Sequence, residues 1–176
     1  MVCDYQPLML VYNNQPNLST PFLKKSKKFR LTAYKLYVKL KAIMKIRMKI
    51  MDNIKATVNE TVTEQNTALS VGSGSLKVYA TPAMLALIEK AACEAIKDIL
   101  NEGETTVGTL LNVRHLAATP IGMNVSATAA LIERDGRRLV FNVQASDECG
   151  IIGEGTHERF VVLSERFTEK TYSKLK

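Results

Sequence analysis

The sequence predicts an α+β domain in which one long apolar helix lies against a single antiparallel sheet. Three observations carry that expectation. One strand-like segment and a helix are followed by four strand-like segments in succession, an order that segregates helix from sheet. Asp135-Gly136 falls between two of those segments and signals a tight hairpin. The helix is apolar on nearly every side, so a sheet must wrap most of its surface. At 176 residues, 46% of them hydrophobic, the chain suits one domain plus a tail.

Residues 1–50 differ in character from the rest of the chain. Asn13–Pro21 clusters Asn, Pro and Ser and reads as coil. Leu31–Ile50 mixes Leu, Tyr, Val, Ile and Met with Lys every few residues, a pattern that permits a basic amphipathic helix. Met51 opens an acid-balanced stretch that would make a sensible protein start. Two segments are therefore expected: a basic N-terminal extension over 1–50, disordered or helical and dispensable, and the domain over 51–176.

Ala56–Glu64 alternates apolar and polar residues and is rich in Val and Thr, which predicts a strand. Ala68–Ser75 ends in Ser-Val-Gly-Ser-Gly-Ser and is expected to hold no fixed conformation by itself. Thr81-Pro82 opens the helix, with Thr as N-cap and Pro at the first helical position, where its missing N–H costs nothing. The helix is expected to run through Leu100 and to stop near Asn101-Glu102-Gly103, Gly being the usual C-terminal break. Strands are predicted over Thr106–Leu116, Met123–Glu133, Arg138–Ser146 and Ile151–Arg166.

Charge excludes some functions for the domain. The whole chain is +7, but residues 1–50 hold eleven Lys and Arg against the single acid Asp4. The extension is therefore +10 and the remaining 126 residues are −3. A nucleic-acid partner is not expected, and membrane-surface contact is compatible only with the basic extension. Cys3, Cys93 and Cys149 are an odd number without CxxC spacing, which supports neither a disulfide framework nor a zinc site. No apolar run approaches the ~18 residues of a membrane span, and the N-terminus lacks a secretory pattern. A reducing cytoplasm is the expected location.

Four residues stand out chemically. Glu89 sits ~100° from Lys90 on the helical wheel, beside Leu85, Cys93 and Ile96, so periodicity puts a carboxylate on the buried flank. Burying it costs several kcal/mol unless it is paired, so proteins seldom keep one for packing alone. The bland alternative is a Glu at the sheet edge reaching water or a nearby Arg. His115, in a strand with Gly108 near its beginning, reads as structural when taken alone, and Thr81 reads as an N-cap. His157, in Gly-Thr-His-Glu-Arg, is equally ambiguous. No metal-ligand spacing, Gly-x-Ser-x-Gly elbow, P-loop or dinucleotide fingerprint appears, and neither metal nor cofactor is expected.

The order of motifs goes further. Val78-Tyr79-Ala80-Thr81-Pro82-Ala83-Met84, Glu89, Val107-Gly108-Thr109 and Val113-Arg114-His115-Leu116-Ala117-Ala118-Thr119-Pro120-Ile121-Gly122-Met123 resemble the thioesterase family typified by the fluoroacetyl-CoA thioesterase. Gly136-Arg137-Arg138-Leu139-Val140-Phe141 and Gly153-Glu154-Gly155-Thr156-His157-Glu158-Arg159 are similar to it too. The resemblance covers roughly residues 55–168. It implies a hotdog fold of about five strands around the helix, usually as a homodimer, and hydrolysis of a short-chain acyl-CoA. It also implies Thr81, Glu89 and His115 as catalytic residues, with Gly108 and Arg159 contacting substrate. Glu89 would serve as general base on water or as nucleophile, Thr81 would position or relay a proton, and His115 would polarise the carbonyl or protonate the leaving thiolate. One departure bears on specificity. The fluoroacetyl-specific member has bulky aromatics before its helix, where this chain has Gly72-Ser73-Gly74-Ser75 and only Tyr79 nearby, which points to a broader acyl group. A hotdog module that binds acyl-CoA without hydrolysing it is the main alternative, and a nucleic-acid or membrane binder acting through residues 1–50 is the third.

Overall fold

The computed structural model describes residues 32, 34–42 and 54–175. The chain divides into two units, Met1–Met44 and Lys45–Lys176. In the first, residues 34–42 form a helix, α1, whose described side chains are all exposed. The Lys41 ammonium there lies 5.1 Å from the centroid of the Tyr37 ring. The expected coil over Asn13–Pro21 and the rest of the expected basic helix lie outside the described residues.

The second unit runs β1 (Lys55–Thr61), α2 (Thr81–Ile96), β2 (Glu104–His115), β3 (Asn124–Asp135), β4 (Arg138–Asp147), β5 (Ile151–Leu163) and α3 (Ser164–Tyr172). The five strands form one sheet in the order β1-β3-β4-β5-β2, antiparallel at every pairing. β1 and β2 are therefore its edges. Inward positions on β3 and β4 repeat every second residue: Val125, Ala127, Ala129 and Leu131, then Leu139, Phe141, Val143 and Ala145, all buried. The alanines among them let α2 approach closely. The helix answers with Met84, Leu87, Ile88, Ala91, Ala92 and Ile96, three and four residues apart, all buried on one broad stripe. Ala86 and Cys93, apolar but on the far side, are exposed, so wrapping is less complete than the composition implied.

Asp135 pairs with Arg138, leaving Gly136-Arg137 as a two-residue turn. Gly136 has φ +54°, and among the described residues only glycines have positive φ, the pattern of a type II′ turn, which needs Gly first.

Four expectations need correction. The α-helix ends at Ile96 and a 3-10 turn over Lys97–Ile99 completes it, short of Leu100. The last strand stops at Leu163, where the apolar alternation ends, and the charged run from Ser164 forms α3. The Ser/Gly segment is not a free coil. Its backbone closes on itself through Ser73 N and Gly74 N to Ala68 O, Leu69 N to Leu76 O, and Ala68 N to Val78 O. Thr81 is not the N-cap: Ala80 holds that position, with no side-chain cap, and the Thr81 hydroxyl is engaged elsewhere.

A single bulge on β2 decides which of its side chains face the helix. Gly108 pairs with Arg159 and Leu110 with Glu158, so Thr109 is an extra residue, tied by its hydroxyl to Glu158 O. A regular strand would put Gly108 and His115, seven positions apart, on opposite faces. The extra residue reverses the parity, so Thr106 and Gly108 before it and Leu111, Val113 and His115 after it all face α2.

Candidate active site

Two side-chain clusters occupy the face between α2 and the sheet. The first lies where α2 begins. Thr81, at the first position of the helix, has its hydroxyl 2.7 Å from His115 Nδ1 at the end of β2. The other ring nitrogen, His115 Nε2, is buried and has no hydrogen-bond partner. A buried polar atom left unpaired costs roughly 1–3 kcal/mol, so this nitrogen marks a place where another group is expected to bind.

The second cluster lies two turns further along α2. Glu89 Oε1 accepts a hydrogen bond from Arg159 Nη1 at 3.3 Å and stands 3.8 Å from His157 Nε2. Arg159 is 5% exposed and anchored on β2, donating from Nε to Thr106 Oγ1 and from Nη2 to Thr106 O, both at 2.9 Å. Its Nη1 also lies 3.1 Å from His157 Nε2. His157 is fully buried, its Nδ1 2.8 Å from Leu110 O. Burial pushes the His157 pKa below the usual histidine value, with Arg159 acting the same way and Leu110 O and Glu89 opposing.

Glu89 itself is less enclosed than the helical wheel implied. Its side chain is 40% exposed, because it emerges at the margin of the buried stripe over β2, an edge strand. The bland expectation of a nearby Arg is met by Arg159. Oε2 makes no hydrogen bond among the described residues and is open to an incoming molecule.

Gly108 is required by this arrangement. A Cβ there would sit 2.5 Å from Glu89 Oε1 and 3.3 Å from His157 Cε1. We expect Gly108→Ala to fold but to lower kcat by about 10- to 100-fold, since displacing a reacting group by ~1 Å is enough for that. Steady-state kinetics beside a thermal melt check it; wild-type kcat would show that the carboxylate moves aside freely.

Each residue singled out in the sequence has a place here. Thr81 meets His115, and Glu89, Gly108 and Arg159 meet one another. The two groups do not touch within one chain, because eight residues of helix separate Thr81 from Glu89 by about 12 Å. Thr106 and the buried role of His157 were not found by sequence reasoning; the odd spacing of inward positions on β2 was the only available signal. Tyr79, the one aromatic near the helix start, is buried and donates to Glu60 Oε1 at 2.6 Å, so it belongs to the core and not to a lid. Among the described residues no group of three or more His, Cys, Asp and Glu is gathered to hold a metal ion.

Known structures share this architecture. A hot-dog-like protein from Thermanaerovibrio acidaminovorans superposes with a TM-score of 0.63 at 24% identity, covering 69% of this chain and 90% of that one. A helix cradled by five strands in this order is thus the hotdog fold. The family model of fluoroacetyl-CoA-specific thioesterases matches residues 62–165, which include both clusters. The fluoroacetyl-CoA thioesterase of Streptantibioticus cattleyicolor is 44% identical over 98 residues, 56% of this chain and 70% of that protein. A threonine-to-serine mutant of a fluoroacetyl-CoA thioesterase, solved with acetyl-CoA, superposes with a TM-score of 0.66 at 36% identity, covering 69% of this chain and 96% of that one. The chain belongs to the fluoroacetyl-CoA-specific thioesterase family.

Proposed function

We propose that this chain hydrolyses short-chain acyl thioesters of coenzyme A, with Glu89, Thr81 and His115 as the reacting groups. The observation that carries the reading is the pair of incomplete sites: a carboxylate held by one oxygen with the other open, and an imidazole held by one nitrogen with the other buried and unpaired. Glu89 Oε2 takes a proton from water, whose oxygen attacks the thioester carbonyl carbon. His115 Nε2 faces the carbonyl oxygen and, with Thr81 fixing the ring, stabilises the charge that develops there. The C–S bond then breaks, and the thiolate of coenzyme A takes up the proton that Glu89 collected.

This chemistry needs both clusters at one thioester, and the separation of about 12 Å between them within a chain supports a homodimer. β2 is an edge strand, with Leu110 51% exposed and its outer backbone unpaired among the described residues. Antiparallel pairing of two β2 strands about a two-fold axis at Asn112, with Thr109 again the extra residue of the bulge, would set Gly108 of one copy opposite His115 of the other. Glu89 of one copy would then complete the Thr81–His115 pair of the second. The acyl group is a short one broader than fluoroacetyl, a reading that rests on Gly72-Ser73-Gly74-Ser75 before the helix and on Tyr79 being part of the core.

The test is thiol release across a panel of acyl-CoAs from acetyl to octanoyl, with fluoroacetyl-CoA included. Turnover confined to short chains is the expected result. Binding without thiol release would make the molecule a non-catalytic acyl-CoA module. We further expect the truncated chain Met51–Lys176 to fold, dimerise and match the full chain in kcat/KM, because every residue of the proposed site lies beyond the +10 segment. Sedimentation and kinetics at two salt concentrations check it. A drop beyond tenfold at both salts, about 1.4 kcal/mol, would make the basic segment part of the enzyme.

A further inference from the structure

Taking Glu89 as the reacting carboxylate, we propose that His157 is a positioning residue whose neutral ring, fixed as one tautomer by the Leu110 carbonyl, aims the Arg159 guanidinium at Glu89. The tautomer follows from its two partners. A carbonyl oxygen only accepts, so Nδ1 carries the hydrogen directed at Leu110 O, 2.8 Å away. A guanidinium only donates, so the lone pair of Nε2 receives the Arg159 Nη1–H at 3.1 Å. The second hydrogen of the same Nη1 goes to Glu89 Oε1 at 3.3 Å. One nitrogen thus bridges imidazole and carboxylate, and Thr106 fixes the guanidinium plane from the other side.

The environment favours the neutral ring. Charged groups facing it are Arg159 from its own strand and Glu89 from α2. β4 contributes the apolar face of Phe141, stacked at 6.2 Å between centroids, and β2 contributes the Leu110 carbonyl and Gly108, where a Cβ would come within 3.3 Å of the ring. A proton on Nε2 would replace an acceptor by a donor against Nη1 and set two cations side by side. Packing gives no reason for the pair, since well-packed apolar residues are often at least as stabilising as buried polar networks. Its result is a carboxylate held at one oxygen and open at the other, two residues of β5 having been given over to holding it.

The experiment uses the full chain with His157→Leu, His157→Gln and, in parallel, Glu89→Gln, assayed by thiol release on the best acyl-CoA of the panel. His157→Leu removes the acceptor, and we expect kcat to fall at least tenfold with KM within twofold and α/β circular dichroism retained. Gln can present its amide oxygen to Arg159, and His157→Gln should recover to within threefold of wild type. Ring nitrogen NMR on the wild-type protein should show His157 with Nδ1 protonated and Nε2 bare from pH 6 to 8. Wild-type kcat in His157→Leu, equal loss in the Leu and Gln variants, or a protonated Nε2 at neutral pH would each overturn the proposal. Full activity in Glu89→Gln would instead overturn the assignment of the reacting carboxylate, while the ring spectra still report on the tautomer.

Discussion

Glu89→Gln should keep the fold and lose about 10²- to 10⁴-fold in kcat, the range expected when a general base is removed. Gln has nearly the shape of Glu, and its amide oxygen can still accept from Arg159 Nη1. The side chain is 40% exposed and no core residue rests on its charge. Arg159, almost fully buried, keeps both contacts to Thr106, so the stability cost should be on the order of 1 kcal/mol. An amide cannot accept a proton from water at neutral pH, and that loss falls on kcat and not on substrate binding. Thiol-release kinetics together with a thermal melt give both numbers. A folded Glu89→Gln protein turning over at the wild-type rate would remove Glu89 from the mechanism.

His115→Ala should lower kcat by roughly 10²-fold or more without lowering the melting temperature. The two halves of this expectation come from the same atom. His115 Nε2 is buried without a partner, so deleting the ring relieves an unpaired polar group as it removes a hydrogen bond to Thr81. A site held ready for substrate at a cost in stability behaves in this way. His157→Ala should rank in the opposite order on both measures. It empties a fully buried position, removes the ring hydrogen bond to Leu110 O and takes one of the acceptors from Arg159 Nη1, so it should melt earlier, while its effect on kcat acts only through Arg159. If His157→Ala proved the slower enzyme and His115→Ala the less stable protein, the roles assigned to the two histidines would have to be exchanged.

Much of the fold is legible in the sequence because it rests on local periodicity. Period-two alternation in β3 and β4, the three-and-four spacing of Met84, Leu87, Ile88, Ala91 and Ala92, and Gly136 at the hairpin are properties of neighbouring residues. They suffice for the order strand, helix, four strands, with boundaries displaced by a few residues. Where local chemistry is ambiguous, propensity points the wrong way. Thr caps helices and so predicts a cap at Thr81, yet that hydroxyl is bound to a ring 34 positions away. Ser and Gly predict coil over Ala68–Ser75, yet the Val78 and Leu76 carbonyls close that segment.

The candidate site shows the same division. Glu89 is recognisable as an odd carboxylate from the helical wheel alone, and the family motifs point to Thr81, Gly108, His115 and Arg159. What the residues do for one another is decided only by tertiary structure. Thr109 contributes no side chain to the site, but as an extra residue on β2 it turns His115 onto the face that Gly108 already shares, a consequence of register against β5. Arg159 reaches Glu89 across 70 positions of sequence and Thr106 across 53, and His157 owes its tautomer to a carbonyl 47 residues before it. Hydrogen bonds of that span depend on strand pairing, which no short window of sequence encodes. Periodicity therefore determined which side of each element meets the core, and the pairing of β2 with β5 decided which polar groups meet there.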